Sequence, residues 1–456
     1  MEISSIISPE IHLKIESFWP EILKRVPTKQ LGICMCVSKK WNSLITSPSF
    51  ISSHNIFLSK SQKFNQSSNL FVLRTFSIKN RQKPLKELYH ICFDGDKSKN
   101  QTLETLIEKS VLCPFKTAII GLQFRFVGSV NGVIFLSDDY LCNTYNYILW
   151  NPLLSCFIQL PKPRACFDTI GPYMHVSGIG YDDEVDDFKV IRLVYPSRSD
   201  GLDEIPPRAE LYSVKEGKWR WVKADNVEYC PIDNEWSQCF VRESIHWVAY
   251  ERRSEEEGSG HKSTLLLLFN VVKEKFQMMK LPLELREFCP LGLRVSECRG
   301  LLCVNHYVMT NMLVGELVQY NLWVKKEYNN GGSWSKVASI DLRGSLQKGI
   351  YWRKNGELLV LSKDEGLVSY DIETGNVATL APGHAVRYDA CSFVESLAFL
   401  NKDCKNRRRY ISEENDENDS SDNDDEELIT PGRPGIEKMG KFFYRMNQLK
   451  KFRREF

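Results

Sequence analysis

The sequence predicts an α+β multidomain protein: a small amino-terminal helical domain, a mainly antiparallel, all-β propeller of about six blades, and a charged, largely disordered tail. Helical periodicity of apolar residues is confined to the start of the chain. Short runs rich in aromatic and β-branched residues, bounded by Gly, Asn, Asp or Pro, then recur to about residue 400, and dense runs of charge follow them. We expect the three regions to span residues 1–54, 55–400 and 401–456.

The composition narrows the class of protein. The chain has 456 residues, 42% of them hydrophobic and 26% charged, which is typical of a globular protein and excludes disorder throughout. A net charge of +2 provides no global field for nucleic acid or a membrane surface. No run approaches the roughly 18 unbroken apolar residues of a membrane span, and the first residues lack a cleavage site. We expect an unprocessed intracellular protein in the cytoplasm and/or the nucleus.

No sequence motif indicates a cofactor, a metal or a catalytic centre. The 14 cysteines lack the CxxC pairs of a zinc site, so buried free thiols in reducing surroundings are expected. A nucleophile elbow, an HExxH motif and a phosphate-binding glycine loop are also missing from the sequence. The sequence therefore predicts a binding protein without chemistry of its own.

Residues 26–45 predict two short helices. Pro27 suits the start of the first, because the amide that proline lacks would be unpaired in a first turn anyway. Ser38 suits the start of the second. The apolar positions form two stripes: Leu31, Cys34 and Met35 in the first helix, and Val37, Trp41, Leu44 and Ile45 along the second. Since isolated helices below about 12 to 15 residues are marginal in water, these two must pack on something else.

One hairpin pattern recurs five times and predicts the propeller. The copies lie at 147–161, 209–222, 266–282, 317–337 and 367–380. Their aromatic anchors are about 50 to 60 residues apart, close to the ~50-residue period of kelch-type blades. Further strands lie between the copies, so each period holds about four strands. Four-stranded sheets arranged radially leave only short, protected edges.

A closed ring needs an early strand that pairs with a late one. Residues 69–77 and 88–94 are expected to supply the first blade, and 391–400 is the expected closing strand.

Two regions resemble a known family. Residues 21–50 resemble an F-box, and the residues that match its plant pattern are Cys36, Val37, Ser38, Lys39, Trp41, Ser43, Leu44, Ile45, Pro48 and Phe50. The rest is similar to the plant F-box-associated domain, whose motifs follow in order at 128–138, 149–164, 178–193, 211–220, 245–250, 322–328 and 333–334. The resemblance covers residues 21 to about 400.

The resemblance implies a substrate receptor of an SCF-type ubiquitin ligase. In that family the F-box helices pack on a Skp-type adaptor, which connects them to cullin and RING subunits, and the propeller-like domain holds a target protein for ubiquitination. We expect the adaptor contact on Ile22, Leu23, Val26, Pro27, Leu31, Cys36, Val37 and Trp41. Target contacts are expected on loops, for instance 196–207, 251–262 and 328–333.

The first helix departs from the family pattern. The usual Leu-Pro opening is replaced by Lys14 and Ile15, and a proline stands at Pro20 instead. Because proline inside a helix costs about 3 kcal/mol, a shorter first helix that begins near Trp19 is predicted, and this leaves open whether adaptor binding is weakened.

Two other classes of function remain open. One is a propeller that binds protein or glycan, with the helices as a cap and without a ligase role. The other is a propeller enzyme, which the scattered histidines and acids disfavour.

Three local patterns could indicate a functional site. The acidic run 182–187 is interpreted as a solvated turn rather than a calcium site. His246 and Trp247 lie on opposite faces of a strand, so we expect core packing, with one side chain pointing inward and the other free to reach solvent. The four hairpin tryptophans, expected to pack between blades rather than to stack on nucleic acid or sugar, are Trp219, Trp221, Trp323 and Trp334.

The tail combines basic segments at 405–409 and 438–454 with an acidic run at 412–428. Charge at this density predicts disorder of the acidic run. The basic segments are consistent with nuclear import or with ordinary solvated tails, and Ser412, Ser420 and Ser421 are candidate sites for an acidophilic kinase.

Overall fold

The computed structural model describes most of the chain up to residue 400. The described residues are 18–64, 70–77, 86–94, 102–113, 115, 124–138, 145–171, 173–196, 206–225, 227, 238–251, 263–286, 292–309, 317–342, 346–381 and 387–400. The expectations for the 401–456 tail, for Lys14 and Ile15, and for most of the loops at 196–207 and 251–262 lie outside them. No helix within the described ranges has the length and apolar character needed to cross a membrane.

The amino-terminal region is helical. Residues 18–23 are helical, followed by α1 (Thr28–Val37), α2 (Lys39–Ile45) and α3 (Pro48–Phe64). Pro27 stands immediately before α1, as predicted. Ser38 has an extended backbone that separates α1 from α2, and its hydroxyl accepts a hydrogen bond from the amide of Lys40 at 3.2 Å. Both predicted helix starts are therefore confirmed, whereas the start of the first helix lies at or before the edge of the described residues and stays a prediction.

The rest of the described chain forms six four-stranded antiparallel sheets, which are the blades of a propeller. Blade 1 contains β1 (Leu70–Ser77), β2 (Lys86–Phe93), β3 (Ile107–Leu112) and β24 (Arg387–Phe393). Blade 2 contains β4 (Arg125–Val130), β5 (Val133–Ser137), β6 (Tyr147–Asn151) and β7 (Cys156–Gln159). Blade 3 contains β8 (Tyr173–Asp182), β9 (Asp187–Pro196), β10 (Arg208–Ser213) and β11 (Lys218–Val222).

The second half of the ring repeats the arrangement. Blade 4 contains β12 (Cys239–Val241), β13 (Ser244–Glu251), β14 (Ser263–Asn270) and β15 (Lys275–Lys280). Blade 5 contains β16 (Leu293–Cys298), β17 (Leu301–Met309), β18 (Leu317–Lys325) and β19 (Trp334–Asp341). Blade 6 contains β20 (Leu346–Trp352), β21 (Glu357–Ser362), β22 (Gly366–Asp371) and β23 (Val377–Ala381). Three single-turn helices connect strands: α4 (Leu103–Leu106), α5 (Phe167–Ile170) and α6 (Leu283–Arg286).

The ring is closed between its two ends. β24 pairs antiparallel with β1, from Leu70 opposite Phe393 to Phe76 opposite Arg387. The expected pairing of an early with a late strand is confirmed, but the closing strand is 387–393 rather than 391–400. Residues 394–400 leave the sheet, because the successive side chains 397–400 are all buried against the helices and blades 2 and 3 and do not alternate as strand residues would.

The predicted blade packing holds for three of the four hairpin tryptophans. Trp219 and Trp323 are buried, and Trp334 packs partly against the core between blades 4 and 5. Trp221 is the exception, since 42% of its surface is exposed.

His246 and Trp247 are both buried, so the idea that one of them contacts solvent is wrong. The reason is that neighbouring blades cover both faces of this sheet. One ring nitrogen of His246 lies 2.7 Å from the Tyr328 hydroxyl, and burial lowers the pKa of His246 to about 4.

The acidic run 182–187 forms the turn between β8 and β9, but its two ends are not solvated. The Asp182 carboxylate pairs with the buried Lys189 ammonium at 2.7 Å. Asp187 accepts a hydrogen bond from the amide of Lys215 at 2.8 Å. These carboxylates therefore hold the strands of blade 3 together, and no cluster of metal-binding side chains occurs among the residues that the structure describes.

Candidate protein-docking surface

The inner face of the helices is covered by the chain's own propeller. Leu23, Leu31, Ile45 and Phe50 belong to one core cluster with residues of blades 2 and 3 and with residues 397–400. Cys34 and Met35, predicted to share a stripe with Leu31, pack partly against the same cluster. A large part of the packing that these short helices need is therefore provided by the propeller of the same chain.

We call residues 394–400 the return segment, because it brings the chain back from the closing strand to the helices. The Glu395 carboxylate accepts a hydrogen bond from the amide of Thr28 at 3.2 Å, at the first turn of α1. The Asn55 side chain on α3 accepts one from the amide of Leu397 at 3.1 Å. On the propeller side, the Asn151 amide group donates to the carbonyl oxygen of Ser396 at 2.9 Å. The return segment therefore joins the helices to blade 2.

A buried histidine holds the start of α1 against α3. The ring nitrogen Nε2 of His54 lies 3.2 Å from the carbonyl oxygen of Val26, which as a carbonyl only accepts, so Nε2 carries the proton. Burial lowers the pKa of His54, against a smaller opposite effect of that hydrogen bond. The imidazole is consequently neutral near pH 7.

The outer face of the helices remains apolar and exposed. Among the described residues, five of the thirteen exposed large hydrophobic side chains lie in these helices: Phe18, Ile22, Ile33, Val37 and Ile56. Their exposed fractions are 60%, 50%, 65%, 69% and 50%. Phe18 and Ile22, like Ile33 and Val37, are four residues apart and so share a face of their helix. Exposed apolar patches of this kind mark protein interaction sites. We call Phe18, Ile22, Ile33 and Val37 the outer apolar surface.

The eight residues predicted for the adaptor contact fall into three groups. Those exposed are Ile22, Pro27, Cys36 and Val37, and those half-buried against the core are Val26 and Trp41. Leu23 and Leu31 are 2% and 0% exposed, so both are buried within this chain. Their apolar stripe faces the propeller instead.

Phe18 and Ile33 are exposed apolar residues of these helices that the predicted contact did not include. A signal was present, because Phe18 lies four residues before Ile22 and Ile33 four residues before Val37. Val37 also ends α1 instead of continuing the stripe of α2, since Ser38 interrupts the helix between them.

One predicted target loop, 328–333, is described and is tightly held. The Lys325 ammonium donates to the carbonyl oxygens of Asn330 and Gly331, and the Ser333 hydroxyl donates to that of Asn330 at 2.9 Å. Tyr328 is turned towards His246 in the core. Residues 329–332 of this loop are exposed, whereas residues 328 and 333 are partly buried.

Comparisons with known proteins agree with this architecture. Residues 18–53 match the model of the F-box domain, and residues 64–360 match that of the F-box associated beta propeller domain. An F-box/kelch-repeat protein of Arabidopsis thaliana is 23% identical over 359 residues, which cover 78% of this chain and 86% of that protein. The F-box protein CPR1 of the same plant is 25% identical over 422 residues, which cover 86% and 91%. The family match ends inside β21, so the strands that complete and close the ring lie beyond it.

Proposed function

The chain belongs to the family of proteins with an F-box associated β-propeller domain, and from this premise we propose that it is the substrate receptor of an SCF-type E3 ubiquitin-protein ligase. The F-box helices bind a Skp-type adaptor, which connects them to the cullin and RING subunits, and the propeller binds a target protein. The receptor works in the cytoplasm and/or the nucleus.

The observation that carries the proposal is the outer apolar surface. Phe18, Ile22, Ile33 and Val37 stay exposed although the opposite side of the same helices is buried in the chain's own core. Complete burial of one such side chain contributes about 1.5 to 3 kcal/mol, so an adaptor that covers them gains a large apolar contact. Depletion of charge and enrichment of apolar residues are typical of the centre of such an interface.

The proposed role requires no catalytic group in this chain. Binding the target beside the ubiquitin-carrying subunits makes the transfer effectively intramolecular, with effective concentrations in the millimolar range for short connections. The receptor thus contributes proximity, while the chemistry belongs to the other subunits.

Co-purification of the full chain with a Skp-type adaptor tests the proposal. The wild type should bind, and Ile22→Asp combined with Val37→Asp should lose binding while the thermal unfolding midpoint stays unchanged. Val185→Asp is the matched control, because Val185 is 46% exposed but lies on the β8–β9 turn of the propeller. Equal binding by the control and the double variant would contradict the proposed docking surface.

A propeller module with a helical cap and no ligase role is the second candidate. It is favoured by the burial of Leu23 and Leu31 against the propeller, as expected of a cap. Failure of the wild-type chain to bind any Skp-type adaptor would support it.

Capture of the wild type from cells with the proteasome inhibited, compared with the double variant, identifies the proteins that accumulate on the propeller.

A further inference from the structure

A groove of about 560 Å³ lies between the outer strand of blade 3 and the β14–β15 turn of blade 4. Val222 of β11 and Phe276 of β15 are part of the apolar core between these blades and form its floor. Most of the other lining side chains are charged. The groove combines an apolar floor with a charged rim.

The rim carries an excess of positive charge. Its cations are Arg220, Lys223, Lys273 and Lys275, and its acids are Asp225 and Glu274. The Glu274 carboxylate is already neutralised, since it accepts hydrogen bonds from Arg220 and from Lys189. Burial alone would raise the pKa of Glu274, but these two hydrogen bonds bring it below its usual value.

Three lysines of the rim have no acidic partner in the part of the chain that the structure describes. Lys223, Lys273 and Lys275 are exposed, and none forms an ion pair with another residue that the structure describes. Asp225 is the second carboxylate among the lining residues of the groove. A ligand with several negative charges and an apolar part is therefore complementary to the groove.

The groove also offers backbone groups. In the strand order β11-β10-β9-β8, β11 is the outermost strand, so no other described strand pairs with the N–H and C=O groups on its free side. An extended peptide pairs with such an edge. Nucleic acid does not form such backbone pairs. Trp221 also lines the groove and is 42% exposed, so it offers a further apolar contact to a side chain of the peptide.

We propose that this groove binds an acidic, extended segment of the target protein. The segment lies along β11, its carboxylates pair with Lys223, Lys273 and Lys275, and an apolar side chain rests on Val222 and Phe276. This inference rests on the receptor function proposed above and specifies the class of target that the propeller accepts.

Fluorescence anisotropy with a labelled ten-residue peptide of alternating Glu and Val tests the groove in the full chain. The peptide should bind, more weakly as salt is raised. Lys273→Glu combined with Lys275→Glu should weaken binding by about tenfold or more. Lys326→Glu combined with Lys363→Glu is the control with the same change of net charge, since both lysines are exposed on turns of blades 5 and 6. It should bind like the wild type.

The chain's own acidic run 412–428 is a potential competitor, so the assay is repeated with its Asp and Glu residues replaced by Asn and Gln. No binding by this variant, or equal weakening by the control pair, overturns the proposal. Displacement of the peptide by a ten-nucleotide oligothymidine at equal concentration also overturns it, in favour of nucleic acid. Hydrogen exchange of the β11 amides should slow on peptide binding.

The variant Lys273→Glu with Lys275→Glu leaves the outer apolar surface intact. Adaptor co-purification by that variant therefore separates failure of the groove from failure of the receptor function.

Discussion

The carboxylate of Glu395 accepts a hydrogen bond from the backbone amide of Thr28 at 3.2 Å, so a residue just after the closing strand holds the first turn of α1. The first amides of a helix have no partner inside the helix. A negative charge at this end also interacts favourably with the positive end of the helix dipole. In the opposite direction, the backbone amide of Leu397 donates a hydrogen bond to the Asn55 side chain of α3 at 3.1 Å. The return segment, which follows the closing strand directly, therefore helps to fix the position of the amino-terminal helices.

Replacing Glu395 tests this connection. Glu395→Ala should destabilise α1 by about 1 kcal/mol, because it removes the acceptor at the first turn. Hydrogen exchange of the α1 amides should accelerate several-fold, whereas exchange in blades 3 to 6 should not change. Glu395→Gln keeps an oxygen acceptor and should lose less. Glu373→Ala, on an exposed turn of blade 6, is the control, and equal acceleration in both alanine variants would contradict the assignment.

Gly132 is predicted to be essential for seating the return segment. It is the second residue of the Asn131–Gly132 turn between β4 and β5 and has a φ of +76°. A Cβ atom there would lie 2.5 Å from the carbonyl oxygen of Val394. Gly132→Ala should therefore cost the strain of a positive φ, about 1 to 2 kcal/mol, plus a displacement of the return segment.

The matched control for that prediction is Gly217→Ala. Gly217 also has a positive φ, +69°, but a Cβ atom there meets nothing within 4 Å. Thermal unfolding should show a clearly larger loss for Gly132→Ala than for Gly217→Ala. Equal losses of stability would mean that only the backbone strain matters and that the return segment moves aside without cost.

Acidification should destabilise the fold through its buried histidines. The pKa of His246 is lowered to about 4 by burial, and burial also lowers that of His54. A histidine whose pKa is lower in the folded than in the unfolded state binds more protons when unfolded, so stability falls as the pH drops below about 6.5 and continues to fall to about 4. For His246 this amounts to about 3 kcal/mol between those limits. Urea unfolding from pH 7 to pH 4.5 measures it.

The hydrogen bonds of His246 predict the effect of a single substitution. Its Nδ1 lies 3.2 Å from the carbonyl oxygen of Cys239, so Nδ1 donates and Nε2 accepts from Tyr328. Tyr328→Phe leaves Nε2 buried without its donor, which should cost about 1 to 3 kcal/mol at pH 7. A neutral effect of this substitution would contradict the assigned tautomer.

The sequence predicted features that depend on local spacing. The recurrence of aromatic hairpins every 50 to 60 residues gave the number of blades, and the side chain of Ser38 marked the start of α2. The end of the closing strand was misjudged because the apolar run 397–400 looks like strand continuation, whereas its burial depends on helices more than 300 residues away in the sequence. Local patterns carry no information about such distant packing.

The sequence likewise could not predict which side of α1 faces the propeller. Its ten residues carry apolar side chains on both sides, with Leu31 on one and Ile33 and Val37 on the other. Periodicity alone does not say which side faces the propeller, so the predicted contact mixed buried and exposed positions. The structure separates them, and this separation can be measured.

Leu31→Ala and Ile33→Ala form a pair that distinguishes the two sides of α1. Leu31 is 0% exposed, so its truncation should cost about 2 to 5 kcal/mol of unfolding free energy. Ile33 is 65% exposed, so its truncation should change stability by no more than about 0.5 kcal/mol. If the proposed adaptor contact is correct, Ile33→Ala should nevertheless weaken adaptor binding, because the side chain becomes buried only in the complex. Chemical denaturation and adaptor titration on the same two proteins give both quantities. A large loss of stability in Ile33→Ala would mean that the chain itself covers this side of α1, and no apolar surface would then remain for a partner.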